Sequence, residues 1–208
     1  MNKIPLKFSD IPQFPVGKHQ ETVAMKDIPT WLERQRQDAA ELKYQFNLNP
    51  PYQRDFVWTL EQKQRYLEYL LRGGRSGLAI YWNCPGYSNS NLARDVPIRM
   101  ELVDGKQRLG AVCEFLENKF PIFADYYARD FEHQRFPVRF TFHVFELLPI
   151  EVVQFYIAHN AGGSVHTLED LQKAFDYLNE IAERELAQNV DRSFLQRKEI
   201  KQRREEAD

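Results

Sequence analysis

Apolar residues recur with short, regular periods through the middle of the chain, and these periods predict several strands. Leu42, Tyr44 and Phe46 alternate with polar residues, which is the period of a half-buried strand. A short, continuous apolar run at residues 78–82 predicts a buried strand. Apolar residues at mostly alternating positions predict two further strands, at residues 98–103 and 138–145.

Helical periods and helix-end signals fall between and after these strands. Pro29 suits the first turn of a helix over residues 28–42. Thr59 and Gln62 have the spacing of a capping box, and the helix that they start is stopped by Gly73. Further helices are predicted after residue 106, from Pro149, and from Thr167 to about residue 181.

This mixture of elements predicts an α+β fold, in which helices flank a small mixed sheet and the C-terminal part is helical. Residues 1–27 contain prolines and little periodicity, so we expect an irregular N-terminal arm. Residues 28–182 are predicted to form the domain. Residues 183–208 carry mixed charges at helical spacing, which is typical of a solvated helix or tail.

Composition excludes several classes of protein. The formal net charge of -2 argues against a protein that coats nucleic acid through its overall charge. It does not exclude a local basic groove. Cys84 and Cys113 form no CxxC pair, so neither a disulfide scaffold nor a zinc site is supported. The sequence shows no signal peptide and no apolar run near the ~20 residues of a membrane span, so we expect a cytoplasmic protein.

The segment from Asp104 to Arg108 follows a buried strand and opens a helix. Gly105 permits a tight turn, and the first N–H groups of a helix attract anions. Lys106 and Arg108 add two cations, so this turn is predicted to hold phosphate. Asp104 would bind Mg²⁺, position water or cap the helix. In the equally weighted alternative, Asp104 caps the helix and Arg108 makes an ordinary ion pair.

A second segment, from Asn49 to Trp58, places polar side chains among aromatic ones in a loop. Arg54 could make a bidentate contact with a phosphate, while Tyr52 or Trp58 could stack on a base. The alternative for these aromatics, with Phe56, is that they anchor the loop in the core.

A third segment joins two predicted helices. Asn160 ends the first helix, and Gly162 and Gly163 follow it. This corner could be a plain helix end, or Asn160 could donate a hydrogen bond to a phosphate or ribose.

Together the three segments resemble a known family. They read Pro-Pro-Tyr-Gln-Arg-Asp-Phe-Val-Trp at residues 50–58, Val-Asp-Gly-Lys-Gln-Arg at residues 103–108 and Asn-Ala-Gly-Gly at residues 160–163. Their order and spacing over residues 28–178 resemble domain-of-unknown-function family 262. This is the N-terminal domain of GmrSD-type modification-dependent restriction enzymes, which is similar in fold to ParB and sulfiredoxin.

The resemblance implies nucleoside triphosphate binding and hydrolysis, coupled to DNA sensing or cleavage in phage–host conflict. It implies catalytic residues, residues of a phosphate-binding turn, and residues from other segments that contact the same nucleotide. In this sequence the catalytic set is Asp104, Gln107 and Arg108, the phosphate turn includes Gly105 and Lys106, and the facing residues are Gln53, Arg54 and Asn160.

The implied cofactors are Mg²⁺, bound by Asp104, and the nucleotide itself, and the implied partners are DNA and a protein that carries a nuclease domain. The alternative function is a regulator or inhibitor that binds DNA or protein in the same groove without turnover. The near-neutral charge and the lack of an HNH nuclease domain in the chain favour that alternative. Sulfiredoxin-type redox chemistry would need a cysteine at position 106 or 107, where Lys106 and Gln107 stand.

Overall fold

The computed structural model describes residues 7, 11, 13–88, 99–161, 169 and 171–187. In this part of the chain the strands are β1 (His19–Ala24), β2 (Gln45–Asn47), β3 (Ala79–Asn83), β4 (Arg99–Asp104) and β5 (Arg139–Phe145). The helices are α1 (Ile28–Glu41), α2 (Leu60–Leu71), α3 (Lys106–Leu116), α4 (Pro149–Ala161) and α5 (171–187). Short 3-10 turns lie at Met25–Asp27, Ala128–Asp130 and Glu132–Gln134. The predicted α+β class is confirmed.

The strands form one mixed sheet in the order β1-β5-β3-β4-β2. β1 pairs antiparallel with β5 and β3 antiparallel with β4, whereas the β3–β5 and β2–β4 pairs are parallel. β4 is therefore an interior strand, and its residues 100–103 are all buried. The sequence of β4 nevertheless carries the charged Glu101 between Met100 and Leu102, and Glu101 is buried with them.

α2 and α3 bury their apolar faces in the same core as the sheet. Burying each large side chain there contributes roughly 1.5–3 kcal/mol. The members from the helices and from the interior strands are Leu67, Leu70, Leu109, Val112, Phe115, Ile80, Trp82, Met100, Leu102, Phe140 and Phe142. The capping box that starts α2 is confirmed, because Gln62 N donates to Thr59 Oγ1 and Thr59 N donates to Gln62 Oε1.

Two local predictions need correction. The segment predicted as an irregular arm contains β1, an edge strand in which the first four residues are exposed, so its sequence shows no apolar alternation. Leu42, predicted to lie on a buried face, is exposed, and the strand after it is only Gln45–Asn47. Residues 89–98 and the predicted corner from Gly162 to Thr167 lie outside the described residues.

The chain divides into two compact units, each described by itself. The first unit comprises Met1–Asn49 and Phe56–Leu147 and holds the sheet with α1, α2 and α3. The second comprises Pro50–Asp55 and Leu148–Asp208 and holds α4 and α5. Within the described residues, no helix has the length and apolar character that crossing a bilayer requires.

Candidate functional site

The turn between β4 and α3 depends on a glycine. Gly105 has a φ of +110°, which L side chains rarely adopt. A Cβ at this position would also lie 2.5 Å from Ile80 Cδ1 on β3. Conformation and space therefore both require glycine at the start of α3.

Asp104 and Arg108 face each other across this turn. Arg108 Nη2 donates to Asp104 Oδ2, and Arg108 Nη1 donates to the Ala79 carbonyl oxygen at 2.6 Å. The side chains are 25% and 16% exposed, so the pair is partly shielded from water. The N-cap residue of α3 is Gly105, and Asp104, just before it, makes the ion pair of the alternative interpretation.

Lys106 is a buried cation at the first position of α3. Lys106 is only 6% exposed. Its ammonium group donates to Asn49 Oδ1 and lies over the Phe56 ring, 4.8 Å from the ring centroid. A cation at this end opposes the helix dipole, because the amino end of a helix carries partial positive charge.

Gln107 links α3 to the loop that precedes α2. Its Oε1 accepts hydrogen bonds from the backbone N–H groups of Val57, at 3.0 Å, and Trp58, at 3.2 Å. Gln107 is 7% exposed, and both hydrogen bonds are partly buried. Gln107, predicted as catalytic, has a structural role in this arrangement.

Tyr66 lies beside the Asp104–Arg108 pair. Its hydroxyl donates to the Gly77 carbonyl oxygen at 2.8 Å. Burial raises the pKa of Tyr66, with opposing effects from the positive Arg108 and the negative Asp104. The phenol is therefore neutral at physiological pH and serves as a hydrogen-bond donor. Trp58 packs edge-on against it, with ring centroids 5.2 Å apart.

The other predicted site residues belong to the second unit. Tyr52 is 1% exposed and packs against Tyr156 and Tyr177, at centroid distances of 5.2 and 5.9 Å. With both faces buried, Tyr52 cannot stack on a base in this arrangement, so its role is packing.

Gln53 and Asn160 are also buried in that unit, whereas Arg54 is partly exposed. The backbone N–H of Gln53 donates to the Pro50 carbonyl oxygen at 3.0 Å. Asn160 Nδ2 donates to the Tyr156 carbonyl oxygen at 2.7 Å, one turn earlier in α4. Their placement around the 104–108 turn stays a prediction.

Two contacts of the turn were not predicted from the sequence. Asn49 precedes the proline pair of the second motif, and its amide oxygen accepts from Lys106. Phe56 was expected in the core, yet it is 58% exposed. The charged Asp55 beside Phe56 is the one local signal that this position faces solvent.

A model of a known protein family matches most of the chain. The family is described as GmrSD restriction endonuclease, N-terminal domain, and the match covers residues 31–208. No curated protein and no solved structure gave a match. The motif resemblance is thus confirmed by a match over far more than half of the sequence. The chain belongs to the family of GmrSD restriction endonuclease N-terminal domains.

Proposed function

We propose that the chain is a nucleotide-binding module of a restriction system directed against phage, with the phosphates of a nucleoside triphosphate bound at the 104–108 turn. Family membership supports the restriction context. DNA and a nuclease domain are the partners that such a module would control. The nucleotide site itself is argued from the residues of the turn.

The observation that carries the proposal is the buried Lys106 in the first turn of α3. This fully described helix has no acidic residue in its first turn, and Lys106 and Arg108 are both there. Cations at this end of a helix are unfavourable by about 0.3–1 kcal/mol each. The contacts of the Lys106 ammonium with Asn49 and Phe56 offset part of this cost. A bound phosphate would add a charge of the opposite sign at the same helix end.

Arg108 would hold the turn in place and could also contact the phosphate. Its bonds to Asp104 and the Ala79 carbonyl fix the turn against β3 and β4. A guanidinium has further N–H donors beyond the two in these bonds, and they could reach an anion above the turn. Such a contact would add to the lysine's charge.

A Mg²⁺ ion at this turn would be held mainly by the phosphate oxygens of the nucleotide. Among the described residues, no group of three or more His, Cys, Asp or Glu side chains could hold a metal ion. The carboxylate of Asp104 is paired with Arg108. Mg²⁺ usually binds through one or two carboxylates together with phosphate oxygens. We therefore assign no step to the metal.

The geometry favours binding over turnover. Of the residues predicted as catalytic, Asp104 is held by Arg108, and Gln107 Oε1 is occupied by two backbone N–H groups. This observation supports the second candidate function, a regulator that binds nucleotide or DNA without hydrolysis. Phosphate release from the four nucleoside triphosphates, with and without DNA, separates the two candidates.

Calorimetric titration of Lys106→Met tests the proposal. We expect the wild type to bind a nucleoside triphosphate and Lys106→Met to bind it at least about tenfold more weakly, as loss of a charge-assisted bond implies. Lys63→Met is the matched control, because Lys63 is also a shielded lysine of this unit, paired with Glu114 at 2.7 Å. Unchanged affinity in folded Lys106→Met would contradict the proposal.

A further inference from the structure

We propose that Phe56 is a stacking platform for a nucleobase beside the 104–108 turn. This inference rests on the proposed function, because the phosphates of the same ligand would occupy the turn. It replaces Tyr52, whose ring is buried, with an aromatic residue that the sequence interpretation had assigned to the core.

Phe56 is exposed although a phenylalanine side chain normally packs inside a protein. It is 58% exposed, and its neighbour Val57 is also exposed. Within the described part of the chain, the Phe56 ring stacks on no other aromatic ring; its ring contact is with the ammonium of Lys106. A ligand that covered this exposed ring would bury apolar surface, which is favourable.

The ring is nevertheless held in a defined place. Lys106 Nζ lies over one face, 4.8 Å from the centroid. The ring lies in a notch at Gly110 of α3, where a Cβ would lie 2.6 Å from Phe56 Cε1. The next backbone N–H, that of Val57, is fixed by Gln107. The cation and α3 therefore hold the ring, while the residue keeps 58% of its surface exposed.

These contacts suit a nucleotide. An aromatic face stacks on any base, because every base has a π-face, so Phe56 would contribute affinity with little base preference. Lys106 links the two halves of the site, since the same ammonium contacts the ring and lies at the start of α3. An anion held there would bring its attached nucleoside towards the ring. A free nucleotide and a single DNA strand share this chemistry.

Binding of three ligands to Phe56 variants tests the inference: a nucleoside triphosphate, inorganic tripolyphosphate and a single-stranded oligonucleotide. Phe56→Ala and Phe56→Leu should weaken triphosphate binding by roughly tenfold to a hundredfold, as loss of one stacked base does. Tripolyphosphate has no base, so its affinity should stay within about twofold of the wild type. Phe56→Trp should retain binding, and its indole fluorescence should be quenched by the nucleotide.

Tyr126→Ala is the control for a general surface effect, because Tyr126 is similarly exposed in the same unit. It should leave all three affinities unchanged. Gly110→Ala tests the notch independently. The added methyl group should displace the Phe56 ring and weaken the nucleoside triphosphate without affecting tripolyphosphate.

The outcomes separate this inference from the proposed function. Equal loss of triphosphate and tripolyphosphate affinity in Phe56→Leu, or no loss of either, would overturn base stacking while leaving the phosphate site intact. Loss confined to the oligonucleotide would support stacking with a nucleic acid strand as the source of the base. A wild type that binds none of the three ligands would overturn both proposals.

Discussion

Asp104, the last residue of β4, and Arg108, in the first turn of α3, form an ion pair across the left-handed Gly105. The same guanidinium donates to the carbonyl oxygen of Ala79 on the neighbouring strand. The pair therefore fastens three elements at the point where the candidate site is built. Any role in ligand binding has to be separated from this role in stability.

Arg108→Ala should destabilise the fold. It removes two charge-assisted hydrogen bonds, one to Asp104 and one to the Ala79 carbonyl oxygen, so we expect a loss of roughly 1.5–3 kcal/mol in the free energy of unfolding. Denaturant titration measures this loss. Arg65→Ala is the matched control, because Arg65 makes an ion pair of the same spacing with Glu61 on the exposed surface of α2. It should cost only about 0.3–0.5 kcal/mol. Equal losses would show that the shielded pair has no special structural role.

Gly105→Ala should also destabilise the fold. The substitution places a side chain at a φ of +110° and sets its Cβ 2.5 Å from Ile80 Cδ1. Backbone strain of this kind costs on the order of 1–3 kcal/mol, and the collision adds to it. Gly73→Ala isolates the backbone cost, because Gly73 has a φ of +93° and open space around its Cβ position. If the two variants lose the same free energy of unfolding, the contact with Ile80 does not restrict position 105.

Gln107→Met should loosen the loop that carries Phe56. The change keeps the size of the side chain but removes the acceptor for Val57 N–H and Trp58 N–H. Amide hydrogen exchange at residues 57 and 58 should accelerate in the variant, while exchange within β5 should change less. Unchanged protection at both amides would contradict the assigned role of Gln107.

The chain should lose stability in acid through Glu146. Burial raises the pKa of this carboxyl group, but hydrogen bonds from Ser88 and Lys18 and the charge of Lys18 outweigh it and lower the pKa from 4.5 to about 2. The pKa of Glu146 is lower in the folded than in the unfolded chain, so the ionised carboxylate stabilises the fold. This stabilisation is complete above pH 4.5 and is lost as the pH falls towards 2.

Thermal melts of the wild type and Glu146→Gln over this pH range measure the effect. The melting temperature of Glu146→Gln should depend less on pH. If the two proteins follow the same curve, the carboxyl group does not contribute in this way.

The two cysteine thiols should be unreactive in the native protein. Burial is the main cause that raises the pKa of Cys84 to about 12 and that of Cys113 to about 11. The thiolate is the reactive form, so labelling by a thiol reagent at about pH 8 should be slow and should become rapid in denaturant. Rapid labelling of the native protein would show that these thiols are accessible and ionised.

The elements with strong local signals were predicted well from the sequence. Thr59 and Gln62 specify the start of α2 by themselves, because both halves of a capping box lie within one turn. The β4–Gly105–α3 junction was also predicted, because Gly105 lies between the apolar positions of a strand and those of a helix. β1 was missed because an edge strand with exposed residues carries no apolar alternation.

The partners of the site residues could not be predicted in the same way. Arg108 bonds to a backbone carbonyl 29 positions earlier, and a carbonyl oxygen has no sequence signature. Lys106 contacts Asn49 and Phe56, which become its neighbours only after the chain has folded. The sequence identified the residue types at the turn, whereas tertiary packing decided that Tyr52 is buried and Phe56 is exposed.

The most direct measurement is an amide NMR titration of the isotopically labelled chain with a nucleoside triphosphate. We predict saturable shifts that are largest at the backbone amides of residues 105–108 and at Val57, with the affinity reduced in Lys106→Met. Saturable binding that leaves these amides unmoved, or no binding at millimolar nucleotide, would contradict a phosphate site at the start of α3.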